Sequence, residues 1–271
     1  MDEKKSEDNE SSASAATTTS MASPSKVEAN FVAPLGPNVH VSRHPVLAHK
    51  LSVLRSSSTV PSSFRAALRE ITFHLGYEAT STLTTRDVPI TVPSSSDPST
   101  HVDATGKKIR ERVALIPVLR SGLGMVEPML ELVNGATVHH IGMYKNKSNL
   151  MPVQYYNRLP KVCGVDVAYV LDPLIATSNT VTSVVGMLKK WGVSEIHVLS
   201  VIASKTGLSE LLKRHPDVHV TLGVIDDMLS DEGDVLPGLG DAGDRLFGTG
   251  EIGEEDELVH VSKRKRTMSD L

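Results

Sequence analysis

The run Leu236-Pro237-Gly238-Leu239-Gly240-Asp241-Ala242-Gly243-Asp244-Arg245 combines glycines, a proline, two carboxylates and a guanidinium in ten residues. Such a segment cannot form the interior of a helix or a strand. It reads as an ordered loop whose backbone comes close to something. Its backbone N–H and C=O groups, with little side-chain bulk around them, suit a small planar polar molecule, and Asp241 places a carboxylate beside it. A Gly-rich surface turn is the plainer reading of the same composition.

A second segment has the makings of an anion site. Leu171-Asp172-Pro173-Leu174-Ile175-Ala176-Thr177-Ser178-Asn179-Thr180 follows an apolar run and leads into a helical pattern. A strand-to-helix turn aims backbone N–H groups and the positive end of the helix at one point. Thr177, Ser178 and Thr180 add hydroxyl donors, and Asp172 just past the strand could hold ribose hydroxyls. The alternative is an ordinary connection with Thr180 as N-cap, since the wording matches neither a Walker loop nor a G-x-G-x-x-G run.

The elements that must carry these loops are legible from hydrophobic pattern. Val113–Leu119 is a short apolar run ending at Arg120, Val138–Met143 is another, and Val167–Leu171 is a third ending at Asp172. Ile196–Ile202 and Val218–Ile225 follow. Between Leu171 and Ile196 lies an amphipathic helix with Val181, Val184, Val185, Leu188 and Trp191 on one face and Gly192 as its C-terminal cap. Ser62–Thr80 is a second helix, with Phe64, Leu68, Ile71 and Leu75 on one face and Pro61-Ser62 as its start signal. Pro93–Thr105 is rich in Ser, Pro and Asp and reads as an exposed loop. Continuous apolar strands alternating with helices predict an α/β fold, a mostly parallel twisted sheet flanked by helices. Ligands of such sheets bind at the carboxyl ends of the strands, where Arg120 and Asp172 fall.

The chain has 271 residues, a formal net charge of −4 and one cysteine, Cys163. The charge argues against a general nucleic-acid or membrane-surface binder. One cysteine excludes an internal disulfide framework and a Cys-based zinc site, and fits a reducing compartment. No apolar run has the length of a membrane span, and no secretory signal opens the chain; Asp2, Glu3, Glu7, Asp8 and Glu10 count against an organellar transit peptide. A cytoplasmic location is the expectation. Residues 1–30 are polar and low in complexity and are expected to be disordered, residues 31–250 to form the folded domain, and residues 251–271 to form a charged tail. Within that tail Glu251–Glu257 reads as an acidic linker, and Lys263-Arg264-Lys265-Arg266 as a solvated basic stretch or a nuclear signal. His139-His140 are adjacent on an expected strand, so they point to opposite faces and cannot chelate together.

Read together, the segments resemble the uracil phosphoribosyltransferases. Leu236–Arg245, followed by Leu246-Phe247-Gly248-Thr249, is similar to that family's uracil-binding loop. Asp172–Thr180 is similar to its phosphoribosyl pyrophosphate loop, with Ser178-Asn179 where the family has a glycine pair. His44–Leu51, Tyr77–Thr80, Ile116–Val126 and Gly142–Asn157 resemble further segments, so the resemblance runs from His44 to Thr249. The chain departs from it at Lys145, where the family usually has arginine, at Asp234 in place of a frequent tyrosine, and at Ala203-Ser204-Lys205-Thr206-Gly207 in place of Ala-Pro-Glu-Gly.

The resemblance implies a type I phosphoribosyltransferase fold with a small hood. It implies transfer of the phosphoribosyl group from phosphoribosyl pyrophosphate to uracil, giving UMP and pyrophosphate. The donor would be bound by Arg120, Lys145, Asp172, Pro173, Leu174, Ile175, Ala176, Thr177, Ser178, Asn179, Thr180 and Asp241. Uracil would be read by Val235, Gly240, Asp241 and Ala242, with Asp241 and Asp172 as the catalytic acids. Mg²⁺ would arrive with the donor rather than in a dedicated protein cage. A homodimer or larger homo-oligomer is expected, with no nucleic-acid or membrane partner; GTP binding is admitted by the resemblance but has no segment of its own. The departures motivate a second reading, a nucleotide- or donor-sensing regulatory protein without turnover. A third is a phosphoribosyltransferase for another base.

Overall fold

The computed structural model describes residues 36–97, 99–146 and 151–250. The chain enters through β1 (Val39–Val41), then α1 (Pro45–Arg55) and α2 (Pro61–Ala79). A hairpin of β2 (Thr85–Pro93) and β3 (His101–Ile109) precedes β4 (Val113–Leu119), a 3-10 turn at Ser121–Met125 and α3 (Val126–Leu132). Next come β5 (Thr137–Val138), β6 (Ile141–Lys145), β7 (Pro152–Asn157), β8 (Val167–Leu171), β9 (Leu174–Ile175) and α4 (Asn179–Trp191). The chain continues through β10 (Glu195–Ser204), α5 (Lys205–Arg214), β11 (His219–Asp226), β12 (Met228–Leu229), β13 (Val235–Leu236) and α6 (Ala242–Phe247).

The main sheet runs β1-β11-β10-β8-β4-β6-β7, with β5 beside β4 and β9 beside β10. Every pairing in it is parallel except β6 with β7. Both faces are covered, which is why β4 and β8 read as unbroken apolar runs rather than alternating ones. On one face Leu47, Leu51, Leu54, Phe64, Leu68, Ile71, Leu75, Met129 and Leu246 bring α1, α2, α3 and α6 onto Leu115, Tyr169, Leu171 and Leu199. On the other, Val181, Val184, Val185 and Leu188 of α4 and Leu208 and Leu211 of α5 cover Ile116, Val170, Val198 and Leu222. Trp191 packs at the margin of that layer. Gly192 closes α4 at φ 103°, accepting the role its position predicts.

Two expectations change. The segment from Pro93 to Thr105 is an exposed loop only in part: His101 onward is β3, paired antiparallel with β2 from Pro93↔His101 to Thr85↔Ile109. This hairpin stands off the core with most residues on both faces exposed. Without a buried face there is no alternation to read. The run Val138–Met143 is split into β5 and β6, with His139 and His140 between them. The His139 N–H bonds the Leu115 carbonyl at 2.9 Å, and its ring meets Trp191 edge-on at 5.3 Å. The tails at residues 1–30 and 251–271, including Glu251–Glu257 and Lys263–Arg266, fall outside the described residues apart from the domain they flank. Among the described residues, no helix is long and apolar enough to cross a membrane.

Phe64 is fully buried and its ring stacks under the Arg245 guanidinium at 4.7 Å. Phe64→Ala should therefore cost about 3–5 kcal/mol, and urea denaturation should show a lower midpoint with an unchanged slope.

Candidate active site

The carboxyl ends of β4 and β8 and the loop from Val235 to Gly243 enclose a cleft of about 490 Å³. Ser121, Asp172, Leu174, Ala176, Asp234, Val235, Gly240, Asp241, Ala242 and Gly243 line it. The two segments singled out by composition thus face each other, although 55 residues of chain, 181–235, separate them.

The loop owes its shape to supports outside itself. Arg55, the last residue of α1, grips Asp226 at the end of β11 with two guanidinium nitrogens, at 2.8 and 2.7 Å. The same guanidinium donates to the Gly238 carbonyl at 2.6 Å, and the Gly238 N–H donates to Asp226 at 3.0 Å. Gly238 sits at φ 56°, and a Cβ there would lie 2.2 Å from the Val235 carbonyl oxygen. Arg245 donates to the carbonyls of Leu54, Ser56 and Leu239. Two arginines therefore clamp the loop to the C-terminus of α1, where carbonyls lack helical partners. The hairpin β12–β13 precedes the loop, and the Leu236–Pro237 peptide is cis.

Asp241 is the N-cap of α6: its carboxylate accepts from the Asp244 N–H at 2.8 Å. Arg120 lies past a cis Leu119–Arg120 peptide and donates to Asp244 at 2.6 Å and to Thr249 Oγ1 at 3.0 Å. The strand-end arginine thus joins β4 to the uracil-like loop. Asp244 is held below the usual carboxylate range by Thr249 and Arg120. Lys145 is on β6, its backbone paired with Pro152; its side chain is outside the described set. Asp234 is exposed at the rim, its N–H on Ser230 Oγ at 3.2 Å.

Across the cleft, Asp172 is buried, and burial pushes its carboxyl up to about 7. Weak contacts at 3.5 Å from Ser121 Oγ and the Leu174 N–H pull in the opposite direction. Pro173 and Ile175 are buried, while Ala176, Thr177, Asn179 and Thr180 are half-buried along the turn into α4. The N-cap position is Ser178 rather than Thr180. Ser178 is the non-glycine residue with positive φ among the described residues, at 62°. That is the conformation a glycine would take at little cost. The Ser178 hydroxyl is buried and makes no hydrogen bond within the protein. The backbone of this loop therefore keeps a glycine-like shape where the sequence replaces the glycine pair.

Ser204, in another departing segment, has a definite task. Its hydroxyl donates to the Ala176 carbonyl at 2.6 Å and accepts from the Gly207 N–H at 2.9 Å, capping α5. A Cβ on Gly207 would lie 2.0 Å from the Ala176 oxygen. The segment Ala203–Gly207 thus buttresses the anion loop from behind. Arg55 and Asp226 carried no signal in the linear pattern, because each acts on a segment remote in sequence; Arg245 and Ser204 stand in segments the sequence singles out, but their partners at Leu54, Ser56 and Ala176 do not show there.

A mostly parallel sheet with a buried acid and a strand-to-helix turn at its carboxyl edge, facing a glycine loop across one cleft, has the architecture of the type I phosphoribosyltransferase class. Comparison with known proteins narrows it. The family model for uracil phosphoribosyltransferase matches residues 41–249. The chain is 46% identical over 203 residues to the uracil phosphoribosyltransferase of Roseiflexus sp. (strain RS-1), covering 75% of this chain and 94% of that protein. It is 42% identical over the same length to that of Agathobacter rectalis. The solved structure of AQ2163 protein from Aquifex aeolicus is 28% identical and superposes with a TM-score of 0.71, covering 79% of this chain and 100% of that one. This chain belongs to the uracil phosphoribosyltransferase family.

The raised Asp172 carboxyl has a consequence for stability. Between its ordinary value of 3.8 and about 7, the folded chain keeps a proton that the unfolded chain has released. Stability is thus fully present below the lower value and falls as pH rises through the upper one. Asp172→Asn removes this penalty, so its melting temperature should exceed that of the wild type by several degrees at pH 8 and by almost nothing at pH 4; an equal gain at both would exclude burial as the cause. Asp226→Ala strands Arg55 and should cost about 3–5 kcal/mol, read by chemical denaturation.

Proposed function

We propose that this chain transfers the phosphoribosyl group from phosphoribosyl pyrophosphate to uracil, giving UMP and pyrophosphate. The observation that carries the reading is the opposition of the Val235–Gly243 loop to Asp172 and the N-terminus of α4 across one cleft. Family membership supplies the substrates.

The donor is a dense polyanion. Its 5-phosphate suits the turn from Ala176 to Thr180, with the N–H groups at the start of the 13-residue α4 and the unpartnered Ser178 hydroxyl as donors. Asp172 suits the ribose hydroxyls; accepting from them favours its ionised form against the burial that opposes it. Arg120 and Lys145 would meet the pyrophosphate, Arg120 by exchanging Asp244 for a phosphate oxygen. Backbone groups of Gly240 and Ala242, with Val235, would pair with the edge of uracil. Cytosine would set donor against donor there and be rejected.

In the reaction the bond from the anomeric carbon to the pyrophosphate oxygen breaks, and uracil N1 forms the new bond as it gives up its proton. Positive charge develops at the anomeric carbon, so positioning and electrostatics supply most of the acceleration. Asp241 would stand between base and donor. No covalent nucleophile takes part.

The cleft's donors are the carboxylates of Asp172, Asp234 and Asp241 and the Ser121 hydroxyl, all hard oxygen ligands of the kind Mg²⁺ prefers. Among the described residues, the group of three clustered metal-ligating side chains lies elsewhere. This suits an ion carried in by the donor, with Asp172 facing it. When bound, Mg²⁺ offsets charge on the leaving pyrophosphate. A homo-oligomer belongs to the same reading. Ile90, Val92 and Val102 are apolar and exposed on the protruding hairpin, and light scattering measures whether they are covered in solution.

The sensing alternative rested on Ser178-Asn179, Lys145 and Asp234. At the first of these the backbone of Ser178 takes the positive φ a glycine would take, which favours the enzyme reading. The direct test is UMP formation from radiolabelled uracil, phosphoribosyl pyrophosphate and Mg²⁺. Asp241→Asn keeps the N-cap of α6 and removes the charge. It should lower kcat by about 100-fold or more while the melting temperature stays near wild type. A wild-type rate in this variant would remove Asp241 from the reacting centre, and no turnover by the parent chain would reject the enzyme reading.

A further inference from the structure

At the opposite end of the sheet, the amino ends of β10 and β11 carry a group that the transfer reaction does not use. Glu195 and His197 are two residues apart on β10 and so share one face. His219 on β11 is the direct cross-strand partner of His197. The two imidazoles stack with centroids 4.7 Å apart and planes 16° from parallel. The His197 Nε2 and Glu195 Oε1 are 2.6 Å apart. One ligand atom from each of the three residues falls within 4.8 Å of the other two.

We propose that Glu195, His197 and His219 form a binding site for a zinc-type transition-metal dication. Two imidazole nitrogens and one carboxylate oxygen make a donor set for Zn²⁺, Co²⁺ or Ni²⁺ rather than for Mg²⁺ or Ca²⁺. Three protein ligands leave a fourth tetrahedral position for water. The largest separation exceeds that in a closed tetrahedral shell, and the lone pairs of stacked imidazoles lie in near-parallel planes, so as the ion enters His219 and Glu195 change rotamer to meet it while the buried His197 stays in place. The His197 ring is buried against Tyr169, whose ring centre is 5.0 Å away, which fixes one ligand firmly. The Glu195 side chain is 42% exposed, so the site opens to solvent. His197 takes up the ion through Nε2, with its ring proton on Nδ1.

The ion would cross-link β10 and β11, the strands whose far ends bear Ser204 and Asp226. It would act as a stabilising ligand, remote from the reacting groups. A separate histidine group, His74 with Ser42 and Glu78, lies between α2 and β1 and provides a control.

The test uses the full chain, untagged and stripped with a chelator. Titration with Co²⁺ should give visible ligand-field bands that saturate at one equivalent and are abolished by Zn²⁺. Zn²⁺ alone should raise the melting temperature in a concentration-dependent way. Glu195→Gln, at an exposed position that the fold tolerates, and His219→Ala should each weaken Co²⁺ binding by about tenfold or more. His74→Ala should leave it unchanged, and, assayed with Mg²⁺ but without added zinc or cobalt, chelator-stripped Glu195→Gln should form UMP at the rate of the stripped parent. Absence of saturable bands, survival of binding in both Glu195→Gln and His219→Ala, or its loss in His74→Ala would each overturn the assignment. These outcomes are independent of whether the chain makes UMP.

Discussion

The paired hydrogen bonds between Arg55 and Asp226 hold the functional half of this molecule in register. Asp226 ends the strand β11 and is 6% exposed, so its carboxylate cannot rely on water. It is satisfied by the Arg55 guanidinium and by the Gly238 N–H, while Arg55 also takes the Gly238 carbonyl. One charge pair, buried on the Asp226 side and part-buried at Arg55, thereby ties a helix end, a strand end and the glycine loop together. The arrangement is strict because any partner removed leaves a desolvated charge behind. Arg245 repeats the idea from the other side of the loop, filling carbonyls at the end of α1 and lying on Phe64.

With the loop fixed, the cleft becomes a meeting of opposed electrostatic demands. The turn before α4 gathers N–H groups, a helix end and an unpartnered hydroxyl, all favouring an anion. Beside it, Asp172 is a carboxylate in surroundings that favour its neutral form. Burial is the cause, and the contacts from Ser121 and Leu174 at 3.5 Å are too long to offset it. Ser204 supports the turn through the Ala176 carbonyl, so a segment outside the cleft holds one of its walls in place.

Much of the scaffold was legible because its elements are two-sided burials. β4 and β8 are apolar throughout, and the structure gives them the bounds Val113–Leu119 and Val167–Leu171 that the runs suggest. The α4 stripe and its Gly192 stop were equally plain. Legibility failed where burial did. The β2–β3 hairpin faces solvent, so its strand character left no hydrophobic period. The pause at His139-His140 breaks one run into two strands without changing register, since Leu115↔Val138 resumes as Val118↔Ile141, and Pro117 beside the gap has no N–H to give the ladder.

The sequence by itself determined the local chemistry: a glycine loop bearing Asp241, an acid at a strand end, hydroxyls ahead of a helix, and motifs specific enough to point to one family. Backbone preference and hydrophobic period are local properties, so composition and spacing suffice for them. Only the tertiary structure decided that Arg55 reaches Asp226 across 171 residues, that Ser178 rather than Asn179 takes the left-handed conformation, and that His197 lies against His219. Those outcomes depend on which strands neighbour one another and on which charges lose their water. Both are set by the packing of the whole sheet, not by any one segment of the chain.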